Sequence, residues 1–78
     1  GDYDQAAALA QQAIDLARQV GNAGCRAAGH VRLGEALYRQ GQHEAAQEHL
    51  EQALALSRRA GSLAWEAASL RHLGNRAY

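Results

Sequence analysis

The sequence predicts an all-α fold of about four helices, in which antiparallel helix-turn-helix units stack as an α-solenoid. Three observations carry that expectation. The chain repeats at a spacing of 40 residues without a gap, glycines recur where its apolar-periodic blocks end, and no proline is present to forbid a helix.

Laying residues 1–38 over 41–78 pairs Gly1 with Gly41, Ala6 with Ala46, Gln12 with Gln52, Ala13 with Ala53, Leu16 with Leu56 and Arg18 with Arg58. The register continues through Gly21 and Gly61, Ala27-Ala28 and Ala67-Ala68, Leu33-Gly34 and Leu73-Gly74, and Tyr38 and Tyr78. High alanine content raises the chance of identity, but the paired Leu-Gly steps and the absence of gaps point to a true repeat.

The first predicted helix, 3–20, sets Ala6, Ala10, Ala13, Ile14 and Ala17 on one face at the spacing of an amphipathic helix. Gly21 then supplies a left-handed end residue and Asn22 an N-cap for the next helix, 22–40, whose small or apolar positions are Ala27, Val31, Leu33, Gly34 and Leu37. After Gly41, a helix over 43–59 repeats the first stripe as Ala46, Leu50, Ala53, Leu54 and Ser57. Gly61-Ser62 repeats the Gly-Asn punctuation ahead of a helix over 62–78. Connections this short make neighbouring helices antiparallel.

Two glycines at the same phase, Gly34 and Gly74, interrupt helices rather than end them. Each lowers helix stability by about 1 kcal/mol relative to alanine, so a close interhelical approach is the expected compensation. For Gly34 the expected partner is Ala46.

Leu33-Gly34-x-x-Leu37-Tyr38, followed by Gly41-x-His43-x-x-Ala46 and Leu50-x-x-Ala53-Leu54, resembles the tetratricopeptide repeat signature, and the resemblance extends over the whole chain. It implies that Leu33, Gly34, Leu37, Ala46, Leu50 and Ala53 are the structural signature of one repeat. Ala6 and Ala13, and Leu73, Gly74 and Ala77, hold the same places in flanking part-repeats. The chain then divides into the second helix of one repeat (1–20), a full repeat (22–60) and the first helix of a third (62–78). Two departures stand out: the common period is about 34 residues and often closes on proline, whereas this chain repeats at 40 without one. The longer variety is similar to repeats of Pins-type spindle-orientation adaptors and of large bacterial signalling regulators, and Leu-Ala-Arg-Gln-Val-Gly-Asn (16–22) and Leu-Gly-Asn (73–75) resemble both.

The function implied by the resemblance is a protein-interaction scaffold whose first helices line a concave groove for a protein or peptide ligand. Carried onto this chain, the groove comprises Ala28, Val31, Arg32, Glu35, Tyr38, Arg39, Arg71, His72 and Asn75. Arginine grips a carboxylate with two hydrogen bonds and asparagine bonds a peptide backbone, so an acidic or extended ligand fits these residue types. The bland alternative is a solvated face on which Glu35 pairs with Arg32 and Arg39 along one helix. For the chain as a whole, the alternative is a spacer or self-association segment of a multidomain regulator, joined through exposed terminal helices.

Composition narrows the field further. Eight arginines and no lysine balance eight acidic residues at zero formal charge, which leaves no basic footprint for nucleic acid or an anionic membrane. The single Cys25 cannot form an internal disulfide, and no signal peptide or bilayer-length apolar run is present, so a cytoplasmic location is expected. Starting at Gly1 without an initiator methionine and stopping at Tyr78 within a helical pattern, the sequence reads as an excerpt of a longer array. His43 and His49 are six residues apart and lack the His-Glu-x-x-His spacing of a helical zinc site, so no metal is expected. Cys25 has neither a base nor an orienting acid nearby in sequence, and no phosphate-binding loop occurs, so neither catalysis nor a cofactor is expected. Cys25 aligns with Trp65, and both are expected to pack near the starts of their helices.

Overall fold

The computed structural model describes residues 2–77, with side chains through residue 74. Expectations placed on Gly1, on Tyr78 and on the side chains of Asn75 and Ala77 lie outside the described residues. Four helices follow one another: α1 (Asp2–Val20), α2 (Ala23–Arg39), α3 (His43–Ala60) and α4 (Leu63–Ala77). Apart from the end of α4, expected at Tyr78 and so outside the described residues, their ends agree with the sequence expectation to within one residue, because the signals that set them are local.

The three turns share one backbone device. Gly21, Gly41 and Gly61 adopt φ of +71°, +85° and +69°, the left-handed region that a Cβ disfavours. The following amide in each case reaches back over the turn, Asn22 to Ala17, Gln42 to Leu37 and Ser62 to Ser57, with all three N···O distances at 2.9 Å. Such a closure satisfies carbonyls that the helix end would otherwise strand. The start of α2 is better capped than that of α3: Asn22 Oδ1 accepts the Cys25 amide at 3.0 Å, whereas Gln42 makes no side-chain capping bond.

Each helix packs against the next, and α2 also touches α4, while among the described residues α1 and α3 do not touch. The stack therefore closes on the side that α2 and α4 share. Between α1 and α2 the core is Ala10, Ile14 and Leu33, with Ala7 and Leu37 partly buried against it. Between α2 and α3, a methyl built at Gly34 would lie 2.8 Å from Leu50 Cγ and 3.2 Å from the Ala46 carbonyl oxygen. The close approach expected at Gly34 is present, but its partner is chiefly the Leu50 side chain and not the Ala46 methyl. Leucine is the longer side chain and enters the slot that the missing Cβ leaves.

Several expectations are corrected. Gly29, not singled out in the sequence, is as tightly placed as Gly34, since a methyl there would lie 2.6 Å from Ile14 Cγ1. Gly74 has nothing within 4 Å of the corresponding position, because no described helix crosses it. Ala46 and Ala53 are fully buried, yet their repeat counterparts Ala6 and Ala13 are exposed. Cys25 is exposed rather than packed, and Trp65 is half-buried.

A ridge on α2 between two clefts: the candidate functional site

The expected groove residues of α2 separate into two sets. Arg32, Glu35, Tyr38 and Arg39 are exposed and form a ridge along one face of the helix. Ala28 is half-buried, and Val31 is only 4% exposed, so its side chain contributes to packing and offers almost no surface to a ligand. From α4, Arg71 is exposed and His72 half-buried.

A cleft of about 340 Å³ lies between α2 and α4 and is floored by α3, with Gly34, Glu35, Tyr38, Arg39, Leu50 and His72 as its walls. The backbone of Gly34 and the side chain of Leu50, which hold α2 to α3, are thus also the apolar floor of this cleft. His72 Nε2 stands 3.5 Å from Glu35 Oε2, linking the rims across α2 and α4. Tyr38 is fixed from behind by stacking on His43, ring centroids 4.5 Å apart and planes 21° from parallel. Glu35, expected either in the groove or paired along its own helix, also has a partner on α4.

On the opposite flank of the ridge, a larger cleft of about 560 Å³ is lined by Tyr3, Ala6, Leu9 and Ala13 of α1 with Arg32, Glu35 and Arg39 of α2. The Arg39 guanidinium lies 5.8 Å from the centre of the Tyr3 ring and donates a long hydrogen bond, 3.4 Å, to its hydroxyl. That bond, followed by electrostatic interaction with Tyr3 and with Glu35, raises the pKa of Arg39. Nearby, Gln40 Nε2 bonds Asp4 Oδ1, a second tie between the end of α2 and the start of α1. Tyr3 and Leu9 were not expected as wall residues; Tyr3 continues the apolar stripe of its helix one turn before Ala6, while Leu9 is a large apolar group lying off that stripe.

The histidines combine in a way that spacing along one helix does not reveal. His30, 3% exposed, places Nδ1 3.0 Å from Nδ1 of His49 across the α2–α3 interface, with the rings stacked at 5.2 Å. One of the two nitrogens must donate. If His30 donates, its buried and unpartnered Nε2 is a bare acceptor and not a stranded N–H, so that tautomer is assigned. Burial first, then the charges of His49, Arg26 and Arg18, holds the His30 pKa down to about 4. Burial also lowers that of His49, against the opposing charge of Glu48. Among the described residues, no three or more His, Cys, Asp or Glu side chains converge as a metal site, and no helix is long and apolar enough to cross a membrane.

Helices packed in chain order, turned three times by the same glycine closure and touching at alternate positions on one side only, define a helical-repeat protein. The tetratricopeptide repeat model matches residues 1–59 and again 25–78, and the chain belongs to the tetratricopeptide repeat family. No curated protein and no solved structure matches it. Members of this family generally mediate protein–protein interaction, typically as modules without catalytic activity.

Proposed function

We propose that this chain binds an extended, acidic segment of a partner protein along the α2 ridge, with α2 and α4 as the first helices of successive repeats on the inner side of the stack. The observation that carries this reading is the ridge itself: Arg32 and Arg39 are exposed on one helix face, and an apolar-floored cleft opens on each side. Two guanidinium groups two helical turns apart can each hold a carboxylate bidentately, while Leu50 and Leu9 give apolar side chains of the same segment somewhere to rest. Glu35, held toward His72, leaves the balance of the ridge cationic. Asn75, whose side chain lies outside the described residues, is retained as a groove residue by resemblance alone.

In this reading the segment 22–60 is a full repeat flanked by part-repeats, and the array belongs to a larger cytoplasmic regulatory protein of bacterial type. The alternative, a spacer without a ligand groove, is separated from it by experiment. Fluorescence anisotropy is measured with two synthetic peptides of identical length, one alternating Glu and Leu and the other Lys and Leu. The expected result is at least a tenfold preference for the Glu peptide, abolished by Arg32→Glu with Arg39→Glu. Equal affinity for both peptides, or an acidic preference indifferent to the double reversal, would refute the groove. Both arginines are exposed, and an unchanged helical circular dichroism spectrum confirms that the variant keeps its fold.

A further inference from the structure

A carboxylate is an odd group to find in the middle of a groove for an acidic ligand, yet Glu35 stands there. It lies on the walls of both clefts, as Arg39 does. Along α2 it sits three positions after Arg32 and four before Arg39, the spacings at which a carboxylate pairs with a guanidinium on one helix face. Glu35 is therefore placed to compete for both arginines with any carboxylate that a ligand brings. Its contact across the cleft leads the other way, to His72 Nε2 of α4 at 3.5 Å.

The two partners are held differently. The His72 side chain is 23% exposed and set into the cleft wall, whereas that of Glu35 is 48% exposed and has room to turn. Facing His72 across the cleft are Glu35, Tyr38 and Arg39 of α2 and Leu50 of α3, with Arg71 beside it on its own helix. Glu35 is the one acid among these groups. An imidazole is the side chain whose charge ordinarily changes between about pH 5 and 8, and only its protonated form attracts a carboxylate as an ion.

We propose that Glu35 is a built-in competitor of the acidic ligand and that His72 withdraws it on taking up a proton. With His72 protonated, Glu35 turns to α4 and Arg32 and Arg39 are released to the ligand. With His72 neutral, Glu35 returns to the arginines and the groove is partly closed to acidic segments. The sign follows directly: affinity for an acidic segment rises as pH falls, and binding is accompanied by proton uptake. Both groups reach solvent, so the effect is that of a screened pair, about threefold to fivefold in affinity.

This regulation rests on the groove reading above, and its test is chosen to separate the two. Fluorescence anisotropy with the alternating Glu and Leu peptide is measured from pH 6 to pH 8. In that window glutamate stays ionised, and His30, with its pKa of about 4, stays neutral. The wild type is expected to bind about threefold to fivefold more tightly at pH 6. His72→Gln should lose the slope and keep the weaker, pH 8 affinity throughout. Glu35→Gln should also lose the slope but keep the tighter affinity, because the competitor is gone. His43, the other imidazole near this cleft, stacked on Tyr38, is the control, and His43→Gln should keep the wild-type slope. A wild type that binds the peptide with no pH dependence overturns the proposal and leaves the groove standing. A slope that survives His72→Gln overturns it too, and one that survives Glu35→Gln means that the imidazolium attracts the ligand directly and Glu35 is no competitor. Failure of the peptide to bind at any pH defeats the groove and this regulation together.

Discussion

Ala46 and Ala53 of α3 are sealed from solvent, while Ala6 and Ala13, which hold the same places in α1, are open to it. Gly34 is pressed by a leucine and Gly74 by nothing within 4 Å. A stacked pair of histidines fills the α2–α3 interface where the corresponding leucines, Leu9 and Leu70, face water. The α2–α3 hairpin and the outer helices α1 and α4 are written in one pattern, and they differ in whether a neighbour stands on the relevant face. In a solenoid, burial belongs to the interface and not to the residue, so a substitution at one phase of the repeat should have unequal effects in the two regions.

The largest inequality is expected between leucines. Leu50→Ala opens a cavity beneath Gly34 and should destabilise by about 2–5 kcal/mol, enough to unfold a chain of this size, while Leu9→Ala should stay within about 0.5 kcal/mol. Urea denaturation at micromolar concentration measures both. Equal effects would mean that exposure of the Leu9 side chain does not lower its contribution to stability.

Next in size is a pH effect that only the hairpin can show. The His30 pKa falls from 6.5 to about 4 on folding, mainly through burial. The unfolded chain therefore binds more protons in that window, and stability rises with pH. The contribution is full above about pH 6.5 and is lost as pH falls through about 4. His30→Leu with His49→Leu, which gives the hairpin the leucine pair of the outer faces, should flatten the melting temperature between pH 7 and pH 4.5 relative to wild type. A parallel decline in both proteins would assign the acid sensitivity to groups elsewhere.

The smallest effect sharpens the comparison between helix starts. Asn22→Ala removes the one side-chain cap on α2 and should destabilise by about 1 kcal/mol, whereas Gln42→Ala removes no capping bond and should be near neutral. Chemical denaturation resolves a difference of that size.

The helices and turns were legible because their signals are short-range: a left-handed glycine, a capping asparagine and a 3.6-residue apolar period act within a few positions of themselves. Gly34 was legible as a place of close approach, since an unexplained mid-helix glycine needs a contact. The identity of its neighbour was not, because the phase of one helix does not fix the register of the next. The His30–His49 pair was hidden for the same reason: spacing along one helix reveals only neighbours on that helix, and these two histidines meet across two. The ridge residues Arg32, Glu35, Tyr38 and Arg39 were readable from the repeat phase, but Val31 shares that phase and is buried. Tyr3 and Leu9 line a cleft because α1 has an uncovered face, which no pattern within α1 announces.

The paired glycines test the central claim most directly, because they share a residue type, a preceding leucine and a place in the repeat. Thermal melts of Gly34→Leu and Gly74→Leu at low micromolar concentration should diverge sharply. At Gly34 the added side chain collides with Leu50 and the Ala46 carbonyl and the cooperative transition is lost. At Gly74 it enters open space and the melting temperature holds or rises, since leucine is the better helix former by roughly 1 kcal/mol. Equal loss at both positions, or tolerance of leucine at Gly34, would contradict the account.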